Sequence, residues 1–335
     1  MDHGYAQKLP KVRLVSKNLT SVMHDPDEPL PPEWAWADKA VAKFRDEAHP
    51  MVIRPELLQY FLKDNGEIVI VEGKRDNTFF DFAGVDYFNY GESVAFAARY
   101  RSQGDKTPHS AVVFLADHYV ERGGTPFPEP GYKFIMAGNI LVHELGHCGD
   151  FRSDLANSGF KIPAGRHSLG GMFALCTKLD RLLNGEESFV SFVRNNLDPH
   201  YDEDEARKMK EIFAIAMENF YANNQHQLPP LLEAYIRGAF LPDMALKAQG
   251  KTQIRAFLEM AFDRVSYKGI FGDELGNSVR IWAQSAETDE GKAAEAIILA
   301  NRDIVVAKLT AYLGNMLQTA QSKAEEMSKP LGRRR

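Results

Sequence analysis

The stretch Ile140–Asp150, with the sequence ILVHELGHCGD, carries two histidines and a glutamate in the spacing H-E-x-x-H. His143 and His147 are four residues apart, so on a helix they lie about 40° apart on one face, where two imidazoles can bind the same metal ion. Glu144 lies about 100° around that helix, where its carboxylate can reach a metal-bound water rather than the metal itself. The spacing therefore indicates a zinc site that activates water.

A core helix with two hydrogen-bonded histidines is the alternative interpretation of this stretch. The pattern predicts a helix over Phe134–Phe151, and its residues flanking the motif are uncharged, which predicts that the helix is buried. These flanking residues are Ile140, Leu141, Val142, Leu145 and Cys148. Two imidazoles on a buried helix need partners, and a metal ion is one that satisfies both, so the metal interpretation is favoured.

Neither of two common patterns that follow H-E-x-x-H supplies a third metal ligand here. One pattern has a histidine six residues after the second histidine, and the other has a glutamate about 20 residues downstream. Ser153 stands where a third histidine would extend the motif, and no glutamate occurs between residues 144 and 186. Asp150 lies too close to His147 on the same helix to reach the far side of a tetrahedral metal. His167 lies in a glycine-rich segment, which is a poor support for a ligand. The ligand is therefore expected further along the chain.

Two glutamates on a later amphipathic segment are the best acidic candidates. The pattern predicts a helix over Asp204–Asn223, in which Glu211 and Glu218 are seven residues apart and share a face within about 20°. Burying an unpaired carboxylate is costly, whereas pairing it with a metal or another cation is not. From the residues alone Glu211 and Glu218 are both open as ligands, with His167 and Asp150 as weaker alternatives.

The order of the elements predicts an α+β fold. Residues 1–33 are polar and contain several prolines, which predicts an extended N-terminal arm. Strand patterns follow at Glu67–Gly73, Ser93–Tyr100 and Ser110–Val120, the last as an edge strand able to pair with an extended peptide. Later patterns are helical, with a predicted break at Leu241–Lys251. The chain is thus expected to form an arm, a domain over residues 34–240 with a small, mostly antiparallel sheet, and a helical C-terminal region over residues 245–328 packed on that domain.

Several helices complete this prediction. They are expected at Glu33–Glu47, Met172–Leu183, Glu187–Asn195, Pro230–Ala239, Thr252–Val265 and about Glu290–Glu326. The last of them has apolar residues at the 4-3-4 spacing of one buried stripe, namely Val305, Leu309, Tyr312 and Met316.

Composition and charge indicate which binding partners and which cellular location to expect. The chain has 335 residues, 44% of them hydrophobic, and a net charge of −6 without a basic stripe, which argues against nucleic-acid binding. No apolar run reaches the roughly 18 residues of a membrane span, and no secretory signal is recognisable. Cys148 and Cys176 are expected to be free thiols. A cytoplasmic location is therefore expected, with signal-less export as an effector as the alternative.

The segments HELGHCGD and EIFAIAMENFY together resemble the gluzincin metallopeptidases typified by Mlc titration factor A and, more distantly, by anthrax lethal factor. The resemblance covers Ile140–Asp150 and Lys210–Leu231. It implies a zincin-like catalytic domain that binds one Zn²⁺ per chain through His143, His147 and Glu211.

The resemblance also implies catalytic roles. Glu144 would be the general base that acts on a zinc-activated water, Asp150 would orient a ligand histidine, and Glu218 would support the site. The relatives have an oxyanion-stabilising tyrosine seven residues before the ligand glutamate, where this chain has Asp204. Tyr201 is the nearest tyrosine and the expected donor, with Tyr221 and His167 as rivals.

The expected function is hydrolysis of peptide bonds in a protein or peptide substrate. Two alternatives stay open, a binding protein that sequesters a regulatory protein with only weak peptidase activity, and an effector protease delivered into another cell. Zinc content together with chelator-sensitive cleavage of peptides separates the enzymes from the binding protein.

Overall fold

The structure is a computed structural model, which describes residues 8–52, 56–63, 65–72, 95–100, 109–122, 140–153, 169–185, 189, 205–221, 228–263 and 266–328. The chain divides into two compact units. One comprises Met1–Gly149 with Tyr221–Asn223, and the other comprises Asp150–Phe220 with Asn224–Arg335. The described residues are mostly helical with a small mixed sheet, so the predicted α+β class is confirmed.

The sheet of the first unit has five described strands in the order β2-β1-β3-β5-β4. Their bounds are β1 Val12–Val15, β2 Ser21–His24, β3 Glu67–Val71, β4 Ala95–Tyr100 and β5 His109–Leu115. β1 pairs with β3 and β3 with β5 in parallel, whereas β1–β2 and β4–β5 are antiparallel. The expectation of a mostly antiparallel sheet is therefore wrong for the described strands. A helical crossover between β1 and β3 permits the parallel pairing.

Four further helices belong to the elements around this sheet. They are α1 Asp38–Val52, which follows a short 3₁₀ turn at Pro32–Ala37, then α2 Glu56–Lys63, α3 Ala116–Arg122 and α4 Ile140–Ser153. The strands β3 and β5 are buried almost along their whole length. Continuous apolar strands of this kind are typical of parallel pairings that are covered on both faces.

Two strands of the sheet, β1 and β2, lie within the segment predicted to be an N-terminal arm. Val12, Leu14 and Val15 are buried, and β1 lies between β2 and β3. Arg13 on β1 makes a two-pronged ion pair with Glu67 on β3, with Nε–Oε2 and Nη2–Oε1 distances of 2.9 Å each. The short apolar alternation in a polar, proline-containing segment becomes a strand because β3 supplies its backbone partners.

The predicted strand Ser110–Val120 ends at Leu115, where α3 begins. β5 lies between β3 and β4, so it is not the peptide-pairing edge that the sequence suggested. A buried cluster holds the helix that begins where the strand ends. The Tyr119 hydroxyl donates to Glu47 Oε2 at 2.5 Å, and Lys43 Nζ donates to the Tyr119 carbonyl at 2.7 Å, so α3 is tied to α1.

The second unit is built from helices. After α4, which crosses the division between the units, come α5 Leu169–Asn184, α6 Glu205–Tyr221, α7 Pro230–Tyr235, a π-helical turn at Ile236–Phe240, α8 Leu241–Ala248, α9 Thr252–Asp263, α10 Tyr267–Phe271, α11 Asp273–Ser285, α12 Asp289–Ala300 and α13 Arg302–Ser328. Among the described residues, no helix combines the length and the apolar character needed to span a membrane.

Two sequence-based boundaries fall in the wrong places. Pro230–Ala248 is continuously helical, so the predicted break at Leu241–Lys251 does not begin at Leu241. The single helix expected at Glu290–Glu326 is two helices that meet at Asn301. The buried stripe of α13 includes Val305, Leu309 and Met316 as predicted, but its remaining members are Leu313, Ala320 and Ala324, while Tyr312 is half-buried.

A buried carboxylate joins α5 to the start of α7. Asp180 Oδ1 accepts from the Leu231 backbone N–H at 3.1 Å and Oδ2 accepts from that of Leu232 at 2.8 Å. Pro229, which precedes α7, provides no side-chain cap, so Asp180 satisfies backbone donors that would otherwise be left without partners. Asn184 donates a further bond to Oδ1 at 3.3 Å. Burial outweighs these bonds and raises the pKa of Asp180 to about 7.

The stability of the protein is expected to depend on pH through Asp180. The unfolded carboxyl releases its proton near pH 3.8 and the folded one near 7, so stability falls as the pH rises through that window. Asp180→Asn removes the titration. Between pH 5 and 7 the parent should lose about 2 kcal/mol of unfolding free energy relative to this variant, because the slope of about 1.4 kcal/mol per pH unit falls to half near the folded pKa. Urea unfolding at pH 5, 6, 7 and 8 measures the difference, and parallel pH profiles would contradict it.

Candidate metal centre

The helix α4, which carries the H-E-x-x-H motif, is held by its apolar residues. Leu141, Val142, Leu145 and Cys148 are at most 2% exposed. The Cys148 thiol lies 3.7 Å from the carbonyl oxygen of Ala111 on β5, so the helix approaches a central strand closely. Packing of this face offsets the low helix propensity of the two glycines within the stretch. The predicted burial of the helix is confirmed for its described side chains.

The two histidines of the motif face each other. The Nε2 atoms of His143 and His147 are 3.2 Å apart, and both rings are half-buried. Two nitrogens bound to one tetrahedral zinc would be about 3.3 Å apart, given Zn–N distances of about 2.0–2.1 Å. The separation thus fits a shared metal, although an N–H···N hydrogen bond between the rings has the same length. A third ligand group near both nitrogens would favour the shared metal.

Glu211 supplies that third group. It lies near the start of α6, whose bounds Glu205–Tyr221 agree with the predicted helix. The residues that follow it, Ile212–Met217, are all buried, so the helix is held on several sides while Glu211 itself is half-buried. One ligand atom from each of His143, His147 and Glu211 lies within 4.8 Å of the other two. The structure therefore brings together the three residues that the resemblance implied.

The other predicted site residues are not part of the group of three ligands that the described residues form. Glu144 is buried, with 8% of its surface exposed, and Glu218 is half-buried about 10 Å further along α6 than Glu211. Neither belongs to the metal-ligand group found among the described residues. Asp150 lies within α4, where only its helical backbone is described. Tyr201 lies outside the described residues, so its role stays a prediction.

The two rivals of Tyr201 as oxyanion donor, His167 and Tyr221, differ in what the structure describes of them. His167 lies outside the described residues, and Gly170 and Gly171, which belong to the same glycine-rich segment, are buried within α5. Tyr221 is the last residue of α6 and is half-buried.

The donor set fits zinc. Two neutral imidazoles and one carboxylate are typical zinc ligands, and a site with three protein ligands leaves a fourth position for water or substrate. The nitrogen donors favour zinc over magnesium or calcium, which prefer oxygen ligands. Among the described residues, the three ligand groups could hold a zinc ion and leave a fourth position for water or substrate.

Sequence reasoning did not single out the aromatic residues that surround α6 or the π-helical turn after α7. Their signal is weak because apolar residues spaced along a helix indicate burial but not the identity of the neighbour. Searches against protein families, curated proteins and solved structures find nothing that matches this chain.

Proposed function

We propose that the chain is a zinc metallopeptidase of the gluzincin kind, which hydrolyses peptide bonds in a protein or peptide substrate. The zincin-like catalytic fold expected from the resemblance is part of this proposal. The observation that carries it is the convergence of the ligand atoms of His143, His147 and Glu211 within 4.8 Å, with Glu144 beside the first histidine in sequence.

Each residue then has a defined task. His143, His147 and Glu211 hold the zinc, which when bound polarises a carbonyl and lowers the pKa of water. The buried Glu144 carboxylate takes a proton from the attacking water and passes it to the leaving amine.

The outer roles belong to the same proposal. Asp150 orients a ligand histidine by accepting its second ring N–H, and Glu218 supports α6 near the site. Tyr201 donates a hydrogen bond to the oxyanion formed from the substrate carbonyl.

Metal analysis and cleavage of a peptide library test the function together. The purified protein is expected to hold one zinc per chain, to cleave peptides, to lose both properties on dialysis against a chelator, and to regain both on addition of zinc. His143→Ala should abolish both properties. His49→Ala is the matched control, because His49 is an exposed histidine on α1 and should leave both unchanged.

Two outcomes would overturn the proposal. The first is a folded parent protein that binds no zinc after reconstitution. The second is peptide cleavage that persists in the metal-free protein. A zinc-loaded protein that cleaves no peptide but binds a partner tightly would instead favour the regulator-sequestering alternative.

A further inference from the structure

The helix that carries Glu211 is held by an aromatic cluster, which consists of Phe173, Phe213 and Phe240. Phe213 lies two residues after Glu211 and is fully buried. Its ring meets that of Phe173 on α5 at a centroid distance of 5.4 Å and that of Phe240 at 4.8 Å, both edge to face. This geometry is the favourable one for aromatic pairs, so the cluster restricts movement of the first turns of α6.

Phe240 is the last residue of the π-helical turn Ile236–Phe240 between α7 and α8. Single π-helical turns are rare and often occur at functional sites, because the extra residue changes which side chains face a neighbour. A second contact joins the same turn to α6. The Arg237 guanidinium lies 4.7 Å from the centre of the Phe220 ring, and its Nε donates to Glu233 at 2.8 Å.

The other side of the π turn is held by α13. A Cβ atom added at Gly238 would lie 2.7 Å from the Leu313 carbonyl oxygen and 3.0 Å from the Leu313 Cβ. Only glycine therefore permits this approach without a backbone shift. The turn lies between a long C-terminal helix, which it contacts through Gly238, and the helix of Glu211, which it contacts through Phe240 and Arg237.

We propose that Gly238 and Phe240 are positioning residues for the metal ligand Glu211, so that zinc affinity depends on how α13 holds the π turn. This inference rests on the proposed metal site. Metal ligands must be held within about 0.5 Å of their bound geometry, and side chains that lock a supporting helix provide that precision. The C-terminal helices then contribute to metal binding although none of their residues is a ligand.

Zinc affinity, measured by competition with a chromophoric chelator, tests the proposal alongside thermal unfolding of the full chain. Gly238→Ala and Phe240→Leu should weaken zinc binding about tenfold, at the lower end of the loss caused by removing outer partners of metal ligands. Arg237→Gln should give a smaller loss in the same direction. Its side chain is 44% exposed, so this variant keeps the test open even if a core variant fails to fold.

Two glycine variants serve as controls. A Cβ at Gly276 would lie 2.6 Å from the Tyr267 carbonyl, a clash as severe as that at Gly238 but between α10 and α11. Gly276→Ala should therefore lower the unfolding temperature without weakening zinc binding. Gly314 lies on α13, and a Cβ added there would have nothing within 4 Å. Gly314→Ala should therefore neither weaken zinc binding nor lower the unfolding temperature. Equal zinc losses in Gly238→Ala and Gly276→Ala would overturn the proposal, because general destabilisation would then explain both.

A double-mutant cycle identifies the route of the effect. If Phe240 acts through Glu211, Phe240→Leu should cause no further loss of the weak zinc affinity that the two histidines keep in a Glu211→Ala background, measured at high zinc concentration. The same loss in both backgrounds would show that the aromatic contact does not act on Glu211. Unchanged zinc affinity in Glu211→Ala alone would instead refute the metal site, so the two failures are distinguishable.

Discussion

Substitution of Glu144 by glutamine is expected to leave zinc bound and to reduce peptide hydrolysis by about 10²–10⁴-fold, the usual contribution of a positioned general base. The amide has nearly the shape of the carboxylate but cannot accept the proton of water at neutral pH. Because Glu144 lies outside the group of three ligand residues, the metal content should not change. Single-turnover cleavage and metal analysis of the same sample measure the two quantities.

Glu47→Gln is the matched control for this prediction. Glu47 is 7% exposed and Glu144 is 8% exposed, so both substitutions neutralise an equally buried carboxyl group. The Glu47 side chain accepts from Tyr119, and a glutamine oxygen can keep that bond. Near-parental hydrolysis by Glu144→Gln would remove Glu144 from the mechanism, and loss of zinc in this variant would make it a ligand instead.

Glu211→Ala is expected to empty the metal site. The two histidines alone are too few ligands for a site that needs three from the protein. The loss of zinc affinity should therefore exceed the about 10–100-fold loss that follows removal of a residue hydrogen-bonded to a ligand. The zinc content after dialysis should fall from one per chain to near zero. Peptide hydrolysis should disappear with the metal, while the unfolding temperature of the metal-free protein should change little because Glu211 is only half-buried.

Glu218→Ala is the control on the same helix. Glu218 has the same charge and a similar degree of burial but lies two turns further along α6. Its variant should keep most of its zinc. An empty site in Glu218→Ala with a filled site in Glu211→Ala would show that the assignment along the helix is wrong by two turns.

The part of the candidate site that depends on the spacing of neighbouring residues could be predicted from the sequence. His143 and His147 are one helical turn apart, so their common face follows from helix geometry alone. Glu211 was one of two possible ligands from the residues, because helix periodicity cannot tell which turn of α6 lies near the histidines. The resemblance favoured Glu211, and the structure brings this residue, and not Glu218, into the described ligand group.

The amino-acid sequence by itself determined where most helices form, since apolar periodicity and charge patterns act over a few residues. Tertiary structure alone decided the parallel pairing of β1 with β3, the burial of Asp180 beneath a helix start 51 residues away, and the π turn at Ile236–Phe240. The physical reason is that these features depend on backbone groups and packing surfaces brought together from distant parts of the chain. Every residue but proline carries the same backbone donor and acceptor, so the sequence pattern of β1 does not reveal which strand will satisfy them.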